Sequence, residues 1–297
     1  MNGVTAADEA VRDAATDSVT FAFGDAGAQL YGLARLGLSR GDGGARQGSA
    51  LALLFSGRQP VAALARGALP VADHAGWEAL ELTGLRATIE APLDRWTLQF
   101  DGADGQGFTL ECDALGPPAA LRDDAPAAHV GGMAGYEQPC RVRGTVRAAG
   151  REHAIDALGQ RGHSWGDPDW ERIELTRTVT AWTDSASAAL TAIRPAGAAH
   201  HDEEATWAAL WEPERLIEIA DGRLSTTYDT DGHARRAGLE LWPAGDTGEE
   251  WARRAAGEVL CGSSLDLGAL RLDCAFFRWH LEGRAGVGRY DILRRAA

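Results

Sequence analysis

Lysine is absent from the 297 residues, and arginine alone carries the 29 positive charges. That absence reads as a coding bias toward GC-rich codons rather than as a functional signal. Forty-three acidic residues leave a formal net charge of −14 and a pI near 5.0. With no basic run or patch in the sequence, nucleic acid and anionic membrane surfaces are poor partners. No run of ~18 apolar residues is present, so no transmembrane segment is expected. Residues 1–20 are rich in Ala and Asp and lack a basic then apolar leader pattern, which points to a cytoplasmic location. Cysteine is scarce. Cys112, Cys140, Cys261 and Cys274 show no C-x-x-C spacing, which argues for buried thiols over disulfides or a zinc site.

Two common catalytic signatures are also missing. No G-x-S-x-G surrounds Ser164, which directly follows His163, so a nucleophile elbow is excluded. Gly286-Val-Gly288 lacks the third glycine and the following helix of a dinucleotide loop. His200-His201-Asp202-Glu203-Glu204 offers metal-ligating atoms, but neighbours on an extended chain point in different directions, so this tract reads as a solvated loop.

What the chain does contain is strand and turn. Short runs with apolar alternation recur at 18–23, 28–38, 50–55, 77–82, 87–91, 95–101, 107–113, 136–148, 153–158, 172–182, 188–193, 223–228, 235–242, 270–281 and 286–293. Gly and Asp punctuate them, as in the turn at 24–27 and the hairpin loop at 102–105. The spacing predicts an all-β chain of antiparallel barrels or sandwiches. Helical candidates are few. Residues 5–17 form a loose helix or tail. Residues 203–218 place Trp207 and Trp211 four apart, but Pro213 interrupts them, leaving a broken helix or a turn between strands.

Chemistry concentrates in residues 159–170, Gly-Gln-Arg-Gly-His-Ser-Trp-Gly-Asp-Pro-Asp-Trp. Two indoles in so short a stretch call for burial of their faces, which suggests a pocket lining or a seam. His163 titrates near neutrality in its unperturbed state, and Asp167 and Asp169 follow closely, so an acid–base cluster is one reading. A tight loop set by Asp167-Pro168, with the Trp rings as plugs, is the other. A metal site at His163 and Asp167 is disfavoured, because Gly162, Gly166 and Pro168 exclude the helix that the spacing requires.

The order Tyr136-Glu137-Gln138-Pro139, Gly144-Thr145-Val146, Gly159-x-x-x-His163-Ser164-Trp165-Gly166 and Asp169-Trp170 resembles the lipocalin-like carotenoid hydratase (hydroxyneurosporene synthase) and AttH-like family. The closing Gly283-Arg284-x-Gly286-x-Gly288-x-Tyr290-Asp291 is similar to that family's last strand. The resemblance implies two tandem lipocalin-like β domains with few short helices, here 18–178 and 179–297 after a tail or loose helix at 1–17, with an apolar cavity near their junction. It further implies hydratase, cyclase or isomerase chemistry on a hydrophobic isoprenoid or polyketide-like molecule, without organic cofactor or metal. Where the hydratase pattern carries acids beside its His or Arg, this chain has Gly162 and Ser164. The acid would then come from Asp167, Asp169, Glu137 or Asp291, with His163 relaying the proton and Arg161 holding a carboxylate. Trp165, Trp170, Trp182 and Trp279, with Tyr136, Ser164 and Asp291, are the expected substrate lining, since indole faces suit apolar and cationic species. A carrier of a hydrophobic ligand, with the same lining and no proton donor, is the competing expectation.

Overall fold

The computed structural model describes residues 3–41, 44–198, 200–213, 215–245 and 251–296. The chain divides into two compact units, residues 1–120 with 134–167 and residues 121–133 with 168–297. Both are built of antiparallel strands, so the all-β, two-barrel expectation holds.

The first unit contains β1 (Thr16–Asp25), β2 (Leu30–Arg40), β3 (Arg46–Ser56), β4 (Gln59–Pro70), β5 (Ala79–Leu82), β6 (Leu85–Ala91), β7 (Arg95–Asp101), β8 (Gly107–Ala114), β9 (Ala119–Leu121), β10 (Met133–Ala148) and β11 (Arg151–Gly166). The sheet runs β4-β3-β2-β1-β11-β10-β8-β7-β6-β5, with β9 paired to β10. β1 therefore lies between β2 and β11, the strand that follows it and the last strand of the unit. The connections follow turn chemistry. Ala149 and Gly150, between β10 and β11, both take positive φ (51° and 73°), which matches the twist of a two-residue hairpin. Alternate residues from every side meet in one core, including Val19, Leu36, Leu54, Leu85, Leu98, Phe108 and Val142.

The second unit is a closed barrel of β12 (Ile173–Trp182), β13 (Ser187–Pro195), β14 (Ala205–Glu212), β15 (Arg215–Tyr228), β16 (Ala234–Pro243), β17 (Arg253–Asp266), β18 (Leu270–Leu281) and β19 (Arg284–Arg295). Closure leaves no exposed edge. Val179, Leu190, Leu210, Leu239, Phe277, Trp279 and Tyr290 fill its interior. A short helix, α1 (Pro126–Gly131), packs beside β13 and β14, and Ala127 shares a small core with Ile173 and Ile193.

The structure departs from the local pattern in four places. Residues 203–218 are a hairpin of β14 and β15, the turn-between-strands alternative, because Pro213 cannot donate to a ladder and falls at the connection. β4 and β17 escape the alternation pattern. Every residue of β4 is exposed or half-buried, and β17 carries mixed small and polar residues, so neither has a sharp apolar face. The segment expected as a tail is tied down: a 3-10 turn at Ala6–Glu9 precedes β1, and Glu9 and Asp17 are each only 2% exposed. Position 178/179, the expected domain division, lies inside β12, all of which pairs within the second barrel.

Candidate functional site

Strand alternation sorts the central segment. Residues 159–166 are not a loop but the end of β11, so successive side chains face opposite ways. Arg161 and His163 share the interior of the first unit with Ile155 and Ala157. Gln160, Gly162 and Ser164 lie on the other face. On β10, Tyr136 and Gln138 point inward with Cys140 and Val142, while Glu137 points outward and accepts a hydrogen bond from Gln160 Nε2 at 2.9 Å. A side chain at Gly162 would begin 2.6 Å from that Glu137 carboxylate. Ser164 Oγ lies 3.0 Å from Ser18 Oγ, to which Arg35 also donates. The positions where the hydratase pattern has acids thus face away from His163.

His163 finds its carboxylate at the start of the chain. Register between β1 and β11 sets Asp17 opposite Trp165 and Val19 opposite His163, so Asp17 and His163 are diagonal neighbours on one face. His163 Nε2 and Asp17 Oδ1 are 2.6 Å apart, and both side chains are essentially buried. Asp17 Oδ2 accepts from the Arg12 backbone N–H at 2.6 Å and from Trp77 Nε1 at 3.4 Å. Trp77, Tyr136 and Trp165 surround the imidazole in edge-to-face geometry, with centroids 6.0, 5.7 and 5.0 Å away. Gly135 permits the close approach of β10 to β11 here, since a Cβ on it would stand 2.3 Å from the His163 carbonyl oxygen.

A second buried pair lies alongside. Arg161 Nη1 is 2.6 Å from Glu9 Oε1, and Arg161 Nε donates to Gln138 Oε1 at 2.9 Å. Glu9 Oε1 also accepts from Trp96 Nε1 at 3.0 Å and from the Tyr136 hydroxyl at 3.3 Å. Burial pushes the Tyr136 hydroxyl far above the ordinary phenol range, despite the opposing charge of Arg161, so it keeps its proton and remains a donor. The carboxylate that Arg161 holds is that of Glu9, not Asp167 or Asp169. Glu9 Oε2, Arg161 Nη2 and His163 Nδ1 are buried without a hydrogen-bond partner among the described residues. Such atoms are scarce in folded proteins and mark polar interiors that take water or ligand groups.

A cavity of about 320 Å³ opens at this end of the unit. Asp17, Arg12, Val11 and Ala14 from the N-terminal segment line it, with Leu38, Ser39 and Arg40 from β2, Arg46 from β3, and Asp73. No Trp is among its lining residues, contrary to the expected aromatic wall. Trp165 contributes indirectly, as the ring on which the Arg12 guanidinium rests at 4.5 Å.

The remaining predicted residues lie elsewhere. Asp167 and Asp169 are exposed on the turn after β11, and Asp169 Oδ1 caps the backbone N–H of Glu171. Trp170 packs against the small core beside α1. Trp279 is inside the second barrel, stacked on Phe277, whereas Trp182 is buried but outside that barrel's core cluster. Asp291 lies on the opposite face of β19 from Tyr290, 3.2 Å from Arg289. The second barrel has a polar cluster of its own. Arg177 pairs with Glu204, which also binds Arg194 at 2.8 Å, and Arg177 donates to Thr226 at 3.2 Å. Glu204 is the exception to the solvated-loop reading of residues 200–204: its side chain is 2% exposed. Burial opposes its charge, but the two guanidiniums outweigh that and hold it below the usual glutamate value.

One group among the described residues could hold a cation: Asp229, Asp231 and His233, whose donor atoms lie within 4.8 Å of one another in the β15–β16 turn. Asp229 Oδ1 already accepts from the backbone N–H groups of Asp231 and His233, and turn formation alone accounts for the cluster.

Sequence reasoning missed Glu9 and Asp17, which carry the carboxylates buried against Arg161 and His163. The available signal was local. Asp17 begins the alternation that continues through Val19, Phe21 and Phe23, on the apolar side.

A family model, a domain of unknown function, matches residues 7–296. The chain belongs to the DUF7064 family. No curated protein sequence matches it. Solved structures do. A protein assigned as AttH from Nitrosomonas europaea superposes with a TM-score of 0.68 at 13% identity, covering 95% of this chain and 93% of that one. CghA, solved with Sch210972, gives 0.64 at 15% identity, with coverage of 95% and 88%. Kievitone hydratase from Nectria haematococca gives 0.61 at 9% identity, with coverage of 96% and 90%. At these identities the likeness is one of fold, and the tandem lipocalin-like β fold implied by the motifs is the fold observed.

Proposed function

We propose that this protein is an enzyme that moves a proton on a small, largely apolar organic molecule, using Asp17 and His163 as a coupled acid–base pair. The observation that carries the reading is that Asp17 both lines the cavity and bonds His163 at 2.6 Å. Such a pair can take a proton through the carboxylate at the cavity wall and hold it on the imidazole behind. With Nε2 committed to Asp17, Nδ1 is the nitrogen left for exchange, and it has no partner among the described residues. The reaction class is addition of water to an alkene, or a related cyclisation or isomerisation. In hydration, one carbon gains a proton from the pair, water adds to the other carbon, and the proton lost by that water restores the pair. The hydratase name of one similarly folded protein supports this class. The reading calls on no cofactor. Four buried cysteine thiols, none of them in a disulfide among the described residues, suit a reducing, cytoplasmic compartment.

Substrates are found by incubating the protein with a panel of alkenes and conjugated enones in deuterated water and following deuterium or water incorporation by mass spectrometry. On a substrate so found, Asp17→Asn and His163→Gln each lower turnover by more than ~100-fold with near-UV circular dichroism unchanged. Asp167→Asn and Asp169→Asn leave turnover near wild type. Near-normal turnover in both Asp17 and His163 variants removes the pair from the chemistry. Saturable binding with every ligand returned unchanged makes the protein a carrier instead.

A further inference from the structure

We infer that the cavity over Asp17 binds a carboxylate group of the molecule it takes, with Arg12, Arg40 and Arg46 as the receiving cations. This deepens the reading above and rests on that cavity being the substrate site. Three arginines line about 320 Å³ in a chain whose net charge is −14. Opposing them in the lining are two carboxylates. One, Asp17, is occupied by His163, the Arg12 N–H and Trp77. The other, Asp73, is exposed, and Arg46 Nη1 bonds the main-chain oxygens of Asp73 and Ala75 rather than its carboxylate.

The arginines are held in place but not sealed. Arg12 lies on the Trp165 ring and is paired with Asp8, and its Nε is buried with no partner among the described residues. Arg40 is paired with Asp13, which is 88% exposed. An ion pair so open to water contributes little, so an incoming carboxylate can replace Asp13 at small cost. Planar guanidinium forks match a carboxylate with two parallel hydrogen bonds, and neutral head groups gain nothing comparable. Val11, Ala14 and Leu38 in the same cavity supply apolar surface for the adjoining carbon body.

The test is calorimetric titration with 4-phenylbutyrate and, as its neutral counterpart, 4-phenylbutanol. The carboxylate is expected to bind saturably and the alcohol to bind at least ~10-fold more weakly. Arg12→Gln and Arg40→Gln each weaken the carboxylate by roughly 10- to 100-fold and leave the alcohol unchanged. Asp13→Asn tightens it, because the competing carboxylate is gone. Arg40 is 61% exposed on its side chain, so its variant folds and decides the matter if Arg12→Gln does not. Equal affinity for acid and alcohol overturns the proposal. So does absence of carboxylate binding up to the order of 10 mM, or an unchanged affinity in both Arg40→Gln and Asp13→Asn. Phenylbutyrate is also titrated into His163→Gln. Binding retained there while turnover is unaffected in the Asp17 and His163 variants sinks the catalytic reading alone; turnover that depends on the pair without carboxylate binding sinks this inference alone.

Discussion

Glu9 and Arg161 stand within a few per cent of complete burial, and each satisfies the other's charge. Removing two ions from water costs several kcal/mol apiece, and their attraction offsets that only while both are present. Glu9→Ala is therefore expected to destabilise the protein by about 3–5 kcal/mol, because it leaves an uncompensated guanidinium facing Trp96 and Tyr136. Adding Arg161→Met to that variant restores much of the loss, since the charge and its desolvation penalty leave together. Urea denaturation of the two variants measures the difference. A double variant no more stable than Glu9→Ala would mean that Arg161 contributes mainly through Gln138 and the aromatic rings. Asp17 and His163 are also buried partners, joined by a hydrogen bond of 2.6 Å, but one of them reaches a cavity, and that separates a structural contact from a candidate reactive one.

At the scale of elements, the close packing of β10 against β11 fixes the imidazole. Gly135 lets the two strands approach at His163, and any Cβ there meets backbone rather than a yielding side-chain end. Gly135→Ala is expected to cost about 1–3 kcal/mol by overpacking and to reduce turnover as well, because β11 must shift away with His163 on it. Gly67→Ala on β4, where a Cβ meets nothing within 4 Å, stays within about 0.5 kcal/mol. Thermal melts and rates measured side by side test this. Loss of stability with an unchanged rate would separate strand spacing from the reactive geometry. The N-terminal segment works at the same scale. Over residues 9–17 it delivers Glu9 to Arg161, Asp17 to His163, and Arg12 to the cavity.

For the whole molecule, two compact units make a single unfolding free energy a poor description. Their responses to acid should differ. In the second barrel Glu204 is held below its ordinary value by Arg177 and Arg194 against the effect of burial. A carboxyl depressed in the folded state contributes stability above its unfolded value, and the contribution is lost as pH falls through the folded value. Amide protection in β12, β13 and β15, taken relative to the intrinsic exchange rate at each pH, should therefore fall as pH drops from about 5 toward 3. Glu204→Gln should show reduced protection already at neutral pH and a flatter acid response. Protection in these strands that is independent of pH in wild type would remove Glu204 from the acid sensitivity.

Alternation between apolar and polar residues is a property of the chain itself, because the strand period of two is local. Most strands, the all-β class and the chemical weight of His163, Arg161 and Tyr136 are therefore legible in the amino-acid sequence alone. β4 and β17 are not, since an edge-like or mixed strand has no apolar face to read. Nor is the hairpin at 203–218, whose tryptophans suit either period. Motif order alone points to the tandem lipocalin-like β fold. The partners of the central residues are decided only in three dimensions. Pairing of β1 with β11 brings Asp17 to His163 across 146 positions of sequence, and the turn before β1 carries Glu9 to Arg161. Strand direction turns Gly162 and Ser164 away from the imidazole, so the acids expected beside it in sequence are not the ones beside it in space. Local pattern can say which face a residue occupies; register between distant strands determines whom it meets there.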